Sequence, residues 1–578
     1  MQSNRLYTKH RSRIISFNIL IFSFTLFLII NFFLIQVIFS DTYQNEISNK
    51  TTALRKIKGN RGSIFDINGN LLAYSIEKCR FWVNTKQANN IEEITNFFET
   101  KFKGKNKVNY NFKNTKSTYS LIVQDLISYE NQKIIEDSKS IKNLNYSLYK
   151  HRLYPYNELA AQVIGFTNND NHGKYGIEGY FNNILNGTEK LVEFNKNARG
   201  KIVSAKNNHK ISNGSDIYLT IDVNIQDILQ TELKKAYISH SAKSANGIII
   251  NPNSGEIIAM ASLPDFNLNT YKKLNLDSAN YYYTNRVISV PYEPGSTFKI
   301  VNMSNALDQS AEFDLNHYFC ENGEYYNKYQ EPFQDHDPYD SLSFSEIFVK
   351  SSNIGTIKIF EQTSNKSFYN KMQDFGFGIK TNISLKNENS GDIKSLTYYK
   401  NNLRDLASAS IGQSILVTNL QLAMAYGSIA NGGYLLKPKI IKKISNDKNI
   451  TYFESPIIIK RNIKKETSKY LLNTLNDVVL NGTGIKAKIS GIQIGGKTGT
   501  GEIWNSDKNE YSKNDFISSF ASIFPLNNPE YVLIVSIEAP SNYDNRWGGE
   551  TAAPCTKEII KQILLYDKSL RINQNEKA

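Results

Sequence analysis

The chain contains 578 residues, enough for about three or four domains of ordinary size. Its 21% charged and 40% hydrophobic residues exclude a wholly disordered protein, and its mean hydropathy of −0.43 excludes a polytopic membrane protein. The net charge is +14, but the lysines are scattered and no nucleic-acid motif is present, so we expect no nucleic-acid binding. A basic surface also suits an anionic polymer or a membrane surface. With only three cysteines, a disulfide-stapled scaffold is excluded.

The most apolar part of the chain is residues 14–39, which contain no charged side chain. As a helix this run would be about 39 Å long, enough to cross a hydrocarbon core of about 30 Å with some tilt. The basic residues before it place residues 1–13 in the cytoplasm and the chain after about residue 40 outside. A cleaved signal peptide is the alternative, but its apolar region is normally shorter and followed by small residues. The sequence therefore predicts an uncleaved single-pass anchor.

Beyond the anchor, the pattern changes several times. Residues 41–58 are polar and predict a helical stalk, and residues 59–215 mix short β-rich runs with polar loops, which is typical of an α+β non-catalytic domain. Residues 219–222 predict a strand, and the apolar spacing after it predicts an amphipathic helix. The apolar residues of that helix are Ile225, Ile228, Leu229 and Leu233.

The second half of the chain contains clearer elements. Residues 247–250 and 256–261 are β-rich and flank a turn with Pro and Gly, which predicts a hairpin. Residues 530–538 predict a strand that is buried on both faces. Helices are predicted at residues 420–429 and 557–565.

The first candidate for chemistry is residues 293–299, Glu-Pro-Gly-Ser-Thr-Phe-Lys. Pro294 and Gly295 predict a turn, and the apolar run after it predicts a helix that begins near Ser296. Ser296 and Lys299 would then lie one turn apart on the same face. A helix N-terminus favours developing negative charge, and burial lowers the pKa of a lysine, which can then accept the serine proton. Alone, this Ser-x-x-Lys pattern is common by chance.

Two further short motifs follow it. Ser351-Ser352-Asn353 fits Ser-x-Asn, and residues 495–500, Gly-Gly-Lys-Thr-Gly-Thr, fit Lys-Thr-Gly. The small residues around Lys497 suit a strand edge on which a substrate backbone can lie. Lysine and threonine there can bind a carboxylate, while backbone N–H groups stabilise an oxyanion. Three motifs in this order are a strong signal for serine acyl transfer.

With these motifs the sequence resembles the class B penicillin-binding proteins, and most of all their FtsI-type septal D,D-transpeptidases. The resemblance extends from the anchor to about residue 566. One departure is Gly412-Gln413-Ser414, where the family often has Gly-x-Gly. The blocks that carry the resemblance outside the motifs are residues 61–66, 68–69, 72–73, 152–155, 160–165, 176–178, 219–222 with Gln226, 262–267, 285–286, 548–549 and 552–554.

The resemblance implies an α+β protein with one N-terminal transmembrane helix and two extracytoplasmic domains. The first would be an α+β pedestal, and the second a transpeptidase domain with an antiparallel sheet flanked by helices, like a serine β-lactamase. The implied boundaries are a cytoplasmic tail at 1–13, the transmembrane helix at 14–39, the stalk at 40–58, the pedestal (dimerisation-type) domain at 59–215, the transpeptidase domain at 216–566 and a flexible tail at 567–578.

It also implies roles for the first two motifs. Ser296 would be the acylated nucleophile and Lys299 its base, while Ser351 and Asn353 would shuttle a proton and position the substrate. The implied reaction attacks the D-Ala-D-Ala bond of a stem peptide, releases the last D-Ala and transfers the acyl group to an amine on a neighbouring stem. Covalent binding of penicillin is implied by the same chemistry.

In the third motif, Lys497 would be a catalytic residue, and Thr498, Gly499 and Thr500 would bind the substrate. Together they would hold the terminal carboxylate and line the oxyanion hole, with backbone N–H groups of Ser296 and Thr500 as the donors.

Such chemistry requires no metal or other cofactor, and we expect none. His317 with Cys320, or the run Asp335-His336-Asp337, offers possible zinc ligands, but solvated loop residues are the preferred interpretation.

The resemblance implies partners and a location as well. The partners would be peptidoglycan stem peptides, β-lactams, an FtsW-type membrane glycosyltransferase and other division proteins. The location would be the bacterial inner membrane, with the N-terminus cytoplasmic and the catalytic domain periplasmic.

Other functions fit the sequence less well or use the same motifs differently. A bifunctional class A enzyme would need a glycosyltransferase domain, whereas residues 40–240 resemble the pedestal. A β-lactamase would need a glutamate for deacylation, which cannot be identified, and a sensor-receptor would need several membrane helices. The closest alternatives are an elongation-specific class B transpeptidase and a non-catalytic division scaffold with a vestigial pocket.

Overall fold

A computed structural model describes residues 2–86, 88–102, 119–197, 202–205, 211–326, 329, 331–446, 449–453, 455–505, 510–538 and 546–570. The chain divides into two compact units, which are described separately: residues 1–60 with 187–213, and residues 61–186 with 214–578. Helices and strands alternate through the chain, so the predicted α+β class is confirmed.

The strands of the described residues are, in chain order, β1 (Thr52–Lys58), β2 (Ile64–Phe65), β3 (Leu71–Asn84), β4 (Tyr119–Ile127), β5 (Leu144–Leu153), β6 (Glu189–Lys196), β7 (Ile202–Ala205), β8 (Asp216–Leu219), β9 (Ser244–Ile250), β10 (Ile257–Leu263), β11 (His317–Phe319), β12 (Glu324–Tyr325), β13 (Phe333–Gln334), β14 (Ser341–Ser343), β15 (Tyr434–Leu436), β16 (Ile441–Asn446), β17 (Asn449–Phe453), β18 (Ile458–Arg461), β19 (Gly495–Asn505), β20 (Glu510–Phe524) and β21 (Tyr531–Glu538). The α-helices are α1 (Gln2–Phe33), α2 (Ser40–Thr51), α3 (Ile91–Lys101), α4 (Gln132–Ser138), α5 (Ala161–Ile164), α6 (Gly176–Tyr180), α7 (Asn182–Leu185), α8 (Val223–Ser239), α9 (Leu276–Tyr283), α10 (Arg286–Ser289), α11 (Lys299–Gln309), α12 (Phe344–Val349), α13 (Asn353–Glu361), α14 (Asn365–Asp374), α15 (Leu396–Asn401), α16 (Leu403–Ser410), α17 (Asn419–Ala430), α18 (Lys465–Asn481) and α19 (Ala552–Tyr566).

The segment predicted to be a membrane anchor is helical. α1 continues into a π-helical turn, Leu34–Ile38, and the stretch His10–Ile38 is 29 residues long with a mean hydropathy of 2.4. Within the described part of the chain it is the one helix that is long and apolar enough to cross a membrane, and its most apolar window is 0% buried. This helix fits a membrane-anchored protein.

The predicted polar helix over residues 41–58 ends early. α2 stops at Thr51, and the following residues form β1. β1 pairs antiparallel with β6 along its whole length, and β7 completes a three-stranded sheet. The helix prediction was wrong for residues 52–58 because the strand partner lies far along the chain, where a local pattern gives no sign of it.

In the second unit, a seven-stranded sheet joins early and late parts of the chain. Its order is β17-β16-β8-β2-β3-β4, and β5 also pairs with β3. β2 and β8 are parallel neighbours that place Ile64 beside Ile217, and both side chains are fully buried. These strands come from segments far apart in the sequence, so the sheet consists largely of long-range contacts.

The junction strand differs from its predicted position at residues 219–222. β8 ends at Leu219, and Asp222 is instead the N-cap of α8, where its carboxylate accepts hydrogen bonds from the N–H groups of Asn224 and Ile225. The predicted amphipathic helix is confirmed, and its buried apolar residues are Val223, Ile225, Leu229, Leu233 and Ala236.

A five-stranded antiparallel sheet has the order β10-β9-β21-β20-β19. The predicted β9–β10 hairpin and the predicted strand β21 both belong to it, and the predicted helices α17 and α19 cover its two faces. Along β9, Ile248 and Ile250 pack in one hydrophobic core, while Ile249 packs in the other with α8 and α19. Because both faces are buried, strand β21 carries consecutive apolar residues, 531–535, rather than an alternating pattern. Leu570 packs in the second core, beyond the predicted start of the tail at residue 567.

Three of the resembling sequence blocks meet in one buried charge cluster. One carboxylate oxygen of Glu178 accepts a hydrogen bond from Nε of Arg61 at 2.7 Å, and the other accepts from Nε of Arg152 at 2.6 Å. All three side chains are almost completely buried. The cluster is stable only while the carboxylate balances the two guanidinium groups.

Removal of this carboxylate is therefore expected to destabilise the protein strongly. Glu178→Ala leaves two guanidinium groups buried without this counter-charge, a change that typically costs about 3–5 kcal/mol. The matched control is Glu558, which pairs on the surface with Lys561 at 2.7 Å. Glu558→Ala should cost less than about 1 kcal/mol. Differential scanning calorimetry of the full chain measures both variants, and equal transition midpoints would contradict the prediction.

Candidate active site

Ser296 lies in a 3-10 turn, Gly295–Phe298, that leads directly into α11. The regular helix thus begins at Lys299, slightly later than predicted. Gly295 has a φ of +54°, and a Cβ atom on it would lie 2.3 Å from the carbonyl oxygen of Thr500. Only glycine permits this approach, which places the Ser296 turn against β19. The Ser296 hydroxyl is partly exposed and makes no hydrogen bond with the described residues.

Lys299 is the first residue of α11, and its side chain is fully buried. Its Nζ donates to the carbonyl oxygen of Ser351 at 2.6 Å, to Oδ1 of Asn353 at 2.8 Å and to Oγ of Ser351 at 3.4 Å. Burial lowers the pKa of Lys299 to about 7, although the negative charge of Asp335 raises it. A large fraction of Lys299 is therefore a neutral amine near neutral pH, which is the form that accepts a proton.

Ser351 connects α12 to α13 in a strained conformation. Its φ is +63°, in a region that residues other than glycine rarely occupy. Its hydroxyl is bonded to two lysines, because Oγ of Ser351 accepts from Nζ of Lys497 at 2.8 Å as well as from Nζ of Lys299 at 3.4 Å. Backbone strain of this kind is concentrated at functional sites.

Lys497 lies on β19 and is also fully buried. Its Nζ makes a second, longer hydrogen bond, 3.3 Å, to the carbonyl oxygen of Thr498. Burial, and then the positive charge of Lys299, lower the pKa of Lys497 well below its ordinary value. Two buried lysines beside one hydroxyl disfavour the doubly charged state, so the cluster can release and take up a proton near neutral pH.

β19 is an edge strand, and in the described part of the chain it pairs with β20 alone. Its Lys-Thr-Gly segment passes close to the Ser296 turn, since a Cβ atom on Gly499 would lie 2.6 Å from the carbonyl oxygen of Pro294. The hydroxyl of Thr500 accepts a hydrogen bond from the N–H group of Gly548 at 3.4 Å. The structure thus brings all three motifs together beside a strand edge that can bind an extended peptide.

Asp335 makes the main contact within this site that the sequence does not predict. The sequence favours a solvated loop there, whereas the Asp335 carboxylate accepts hydrogen bonds from Oγ of Ser352 at 2.6 Å, from the N–H group of Asn353, and from the N–H group of Ile354 at 3.1 Å. The described residues contain no cluster of three His, Cys, Asp or Glu side chains that could hold a metal ion. No local spacing marks this contact, because loop and helix meet only in the folded chain.

Ser414, where the resemblance leads us to expect glycine, has a left-handed backbone with a φ of +57°. Its N–H group donates to the carboxylate of Glu293 at 2.9 Å, and the Tyr511 hydroxyl donates to the same oxygen at 2.8 Å. Burial raises the pKa of Glu293 to about 7. Ser414 thus adopts a backbone conformation that glycine favours. The same loop contacts the Ser296 turn, because the N–H group of Gly295 donates to the carbonyl oxygen of Gly412 at 3.0 Å.

Two protein families match the chain. Residues 247–561 match the family described as penicillin binding protein transpeptidase domain, and residues 56–219 match the penicillin-binding protein dimerisation domain. The first match alone covers more than half of the chain.

Relatives and solved structures agree with these matches. The chain is 28% identical to the peptidoglycan D,D-transpeptidase FtsI homolog of Mesostigma viride, over 96% of each protein. It is 31% identical to peptidoglycan D,D-transpeptidase FtsI of Buchnera aphidicola subsp. Baizongia pistaciae, over 72% of this chain and 69% of that protein. Penicillin Binding Protein 2X from Streptococcus thermophilus has the same fold, with a TM-score of 0.76 at 21% identity over 90% of this chain and 81% of that one. The chain therefore belongs to the penicillin-binding protein transpeptidase family.

Proposed function

We propose that this protein is a peptidoglycan D,D-transpeptidase that cross-links stem peptides at the division septum through an acyl-enzyme on Ser296. The observation that carries the proposal is the buried Lys299, which has a pKa of about 7 and follows Ser296 by one helical turn. Nucleophilic acyl transfer requires a serine hydroxyl and a neutral amine that can take its proton.

In the first step, Oγ of Ser296 attacks the carbonyl carbon of the D-Ala-D-Ala bond, and its proton passes to the neutral Nζ of Lys299. The backbone N–H groups of Ser296 and Thr500 stabilise the oxyanion of the tetrahedral intermediate. When the peptide bond breaks, Ser351 relays a proton from the lysine pair to the departing amine of D-Ala. The product is an ester between Ser296 and the shortened stem peptide.

In the second step, an amine of a neighbouring stem attacks this ester, loses a proton to the same relay and forms the cross-link, while Ser296 regains its proton. Lys497, Thr498 and Thr500 hold the terminal carboxylate of the donor stem, and Gly499 allows close approach to the strand. The incoming carboxylate raises the pKa of Lys497, so that this lysine is charged when substrate is bound. Asn353 holds Lys299 in place through its 2.8 Å hydrogen bond.

The septal role is supported by the sequence blocks that resemble FtsI-type enzymes and by the two relatives named FtsI or FtsI homolog. The first alternative is an elongation-specific class B transpeptidase, which would use the same site on the same substrate. The second is a non-catalytic division scaffold, which the complete motifs and the buried lysine pair argue against.

We further propose a single-pass location in the bacterial inner membrane, with the N-terminus cytoplasmic and the catalytic domain periplasmic. The substrates would be stem peptides, and β-lactams would acylate Ser296 as substrate analogues. The membrane helix and the pedestal domain, residues 59–215, would bind an FtsW-type glycosyltransferase and other division proteins.

Covalent labelling tests the proposed nucleophile. The full chain in detergent micelles, treated with a fluorescent penicillin, is expected to carry one stable label, whereas Ser296→Ala should carry none. Persistence of the label over hours would exclude an efficient β-lactamase. A folded wild-type protein without label would refute the transpeptidase proposal and leave the scaffold.

The pH dependence of labelling tests the base. Lys299 must be neutral to take the serine proton, so the acylation rate should fall about tenfold for each pH unit below about 6 and level off above about 8. Lys299→Arg stays charged at every pH and should lose at least about 100-fold in acylation rate throughout. A wild-type rate that is constant from pH 5 to 8 would count against Lys299 as the base.

Co-purification tests the proposed membrane partner. A chain in which residues 14–39 are scrambled keeps its composition and hydropathy but loses any specific helix-packing face. We expect the scrambled chain to reach the membrane yet no longer co-purify with the FtsW-type protein. Unchanged co-purification would show that the helix does not recognise this partner.

A further inference from the structure

We propose that Asp335 is a positioning residue for the acylation step, which fixes the Ser-x-Asn segment of the site and places a negative charge near Lys299. This proposal rests on the proposed function of Ser296 and Lys299. It adds a fourth element, the loop after β13, to the three sequence motifs.

The carboxylate of Asp335 accepts three hydrogen bonds from residues in and next to the Ser-x-Asn segment. One carboxylate oxygen accepts from Oγ of Ser352, and the other accepts from the N–H groups of Asn353 and Ile354. These N–H groups are at the start of α13, where a helix favours negative charge. Ser352 in turn accepts from the N–H group of Gly355 at 2.9 Å, so the hydroxyl is bonded on both sides. The carboxylate thus fixes the backbone from which Asn353 projects.

The last residue of β13, next to this loop, orients the Asn353 side chain. Its Nδ2 donates to the carbonyl oxygen of Gln334 at 2.9 Å, which leaves Oδ1 to accept from Nζ of Lys299 at 2.8 Å. A reversed amide would present N–H groups to the lysine and a carbonyl oxygen to another carbonyl oxygen. Backbone and side chain of Asn353 are therefore both fixed by consecutive residues, Gln334 at the end of β13 and Asp335 in the loop after it, and Asn353 connects them to Lys299.

Two charged groups act on Lys299 from the surrounding elements. Asp335, from the loop after β13, raises the pKa of Lys299 against the effect of burial, and Lys497, from β19, interacts with Lys299 as a like charge. The groups that accept hydrogen bonds from Nζ of Lys299 are neutral and belong to Ser351 and Asn353. Removal of the Asp335 charge should therefore lower the pKa of Lys299 further. The acylation rate, which is constant at high pH, would then begin to fall at a lower pH than in the wild type.

A shift in the pH dependence would show that Asp335 acts on Lys299 through its charge, whereas a purely structural role would not produce this shift. Asp335→Asn removes the charge with little change in size, whereas Asp335→Glu keeps the charge but moves the carboxylate. The matched control is Asp337→Asn, which removes the same charge two residues along the same loop. Asp337 is exposed and bonds to the Tyr339 hydroxyl at 3.1 Å rather than to the Ser-x-Asn segment.

The experiment measures the second-order acylation rate constant of the full chain in detergent micelles with a fluorescent penicillin from pH 5 to 9. Asp335→Asn should lower the plateau about tenfold or more, as expected for lost hydrogen bonds to a charged group. It should also move the acid side of the profile down by roughly half a pH unit or more. Asp335→Glu should lower the plateau without the shift, and Asp337→Asn should match the wild type in both respects.

Wild-type behaviour of Asp335→Asn, or a lower plateau without any shift, would overturn the proposal. If Asp335→Asn does not fold, a wild-type plateau in Asp335→Glu would overturn it as well. A wild-type protein that takes no label would instead refute the proposed function, and this proposal with it. Label stoichiometry and the thermal midpoint of each variant show which fraction is folded.

Discussion

The site depends on the burial of two lysine side chains, Lys299 and Lys497, beside the hydroxyl of Ser351. Burial removes the water that stabilises an ammonium group, so it lowers the pKa of Lys299 to about 7 and the pKa of Lys497 well below its ordinary value. Three elements are needed to achieve this: the start of α11, the strained connection between α12 and α13, and the edge strand β19. No one of them could keep a lysine out of water by itself.

Close backbone packing makes this arrangement possible. Gly295 and Gly499 let the serine turn and the edge strand approach within distances that a side chain would forbid. Behind them, Ser414 and Tyr511 both donate to the buried carboxylate of Glu293, which ties the turn to a second loop. The five-stranded sheet, buried on both faces, supports all of these contacts, so the geometry of the site is a property of the whole domain.

Local patterns predicted much of this structure. The β9–β10 hairpin, strand β21 and helices α8, α17 and α19 follow from periodicity and turn residues, and three short motifs pointed to the site. Local patterns failed where distant segments meet. Residues 52–58 form a strand only because β6 is available to pair with them. Asp335 bonds to the Ser-x-Asn segment at a sequence separation that no motif describes. Likewise, the pKa of Lys299 depends on burial and neighbours that exist only in the folded chain.

The pKa of Lys299 is the property that most directly decides whether this lysine can act as the base. Protein labelled with ¹³C at the lysine ε-carbons can be titrated by NMR, with the Lys299 signal assigned from its absence in Lys299→Met. We expect a titration midpoint near 7 for Lys299, whereas exposed lysines titrate at about 10.4. A midpoint at the exposed value would contradict the role of Lys299 as the base, because the side chain would then be charged at neutral pH and unable to accept the Ser296 proton.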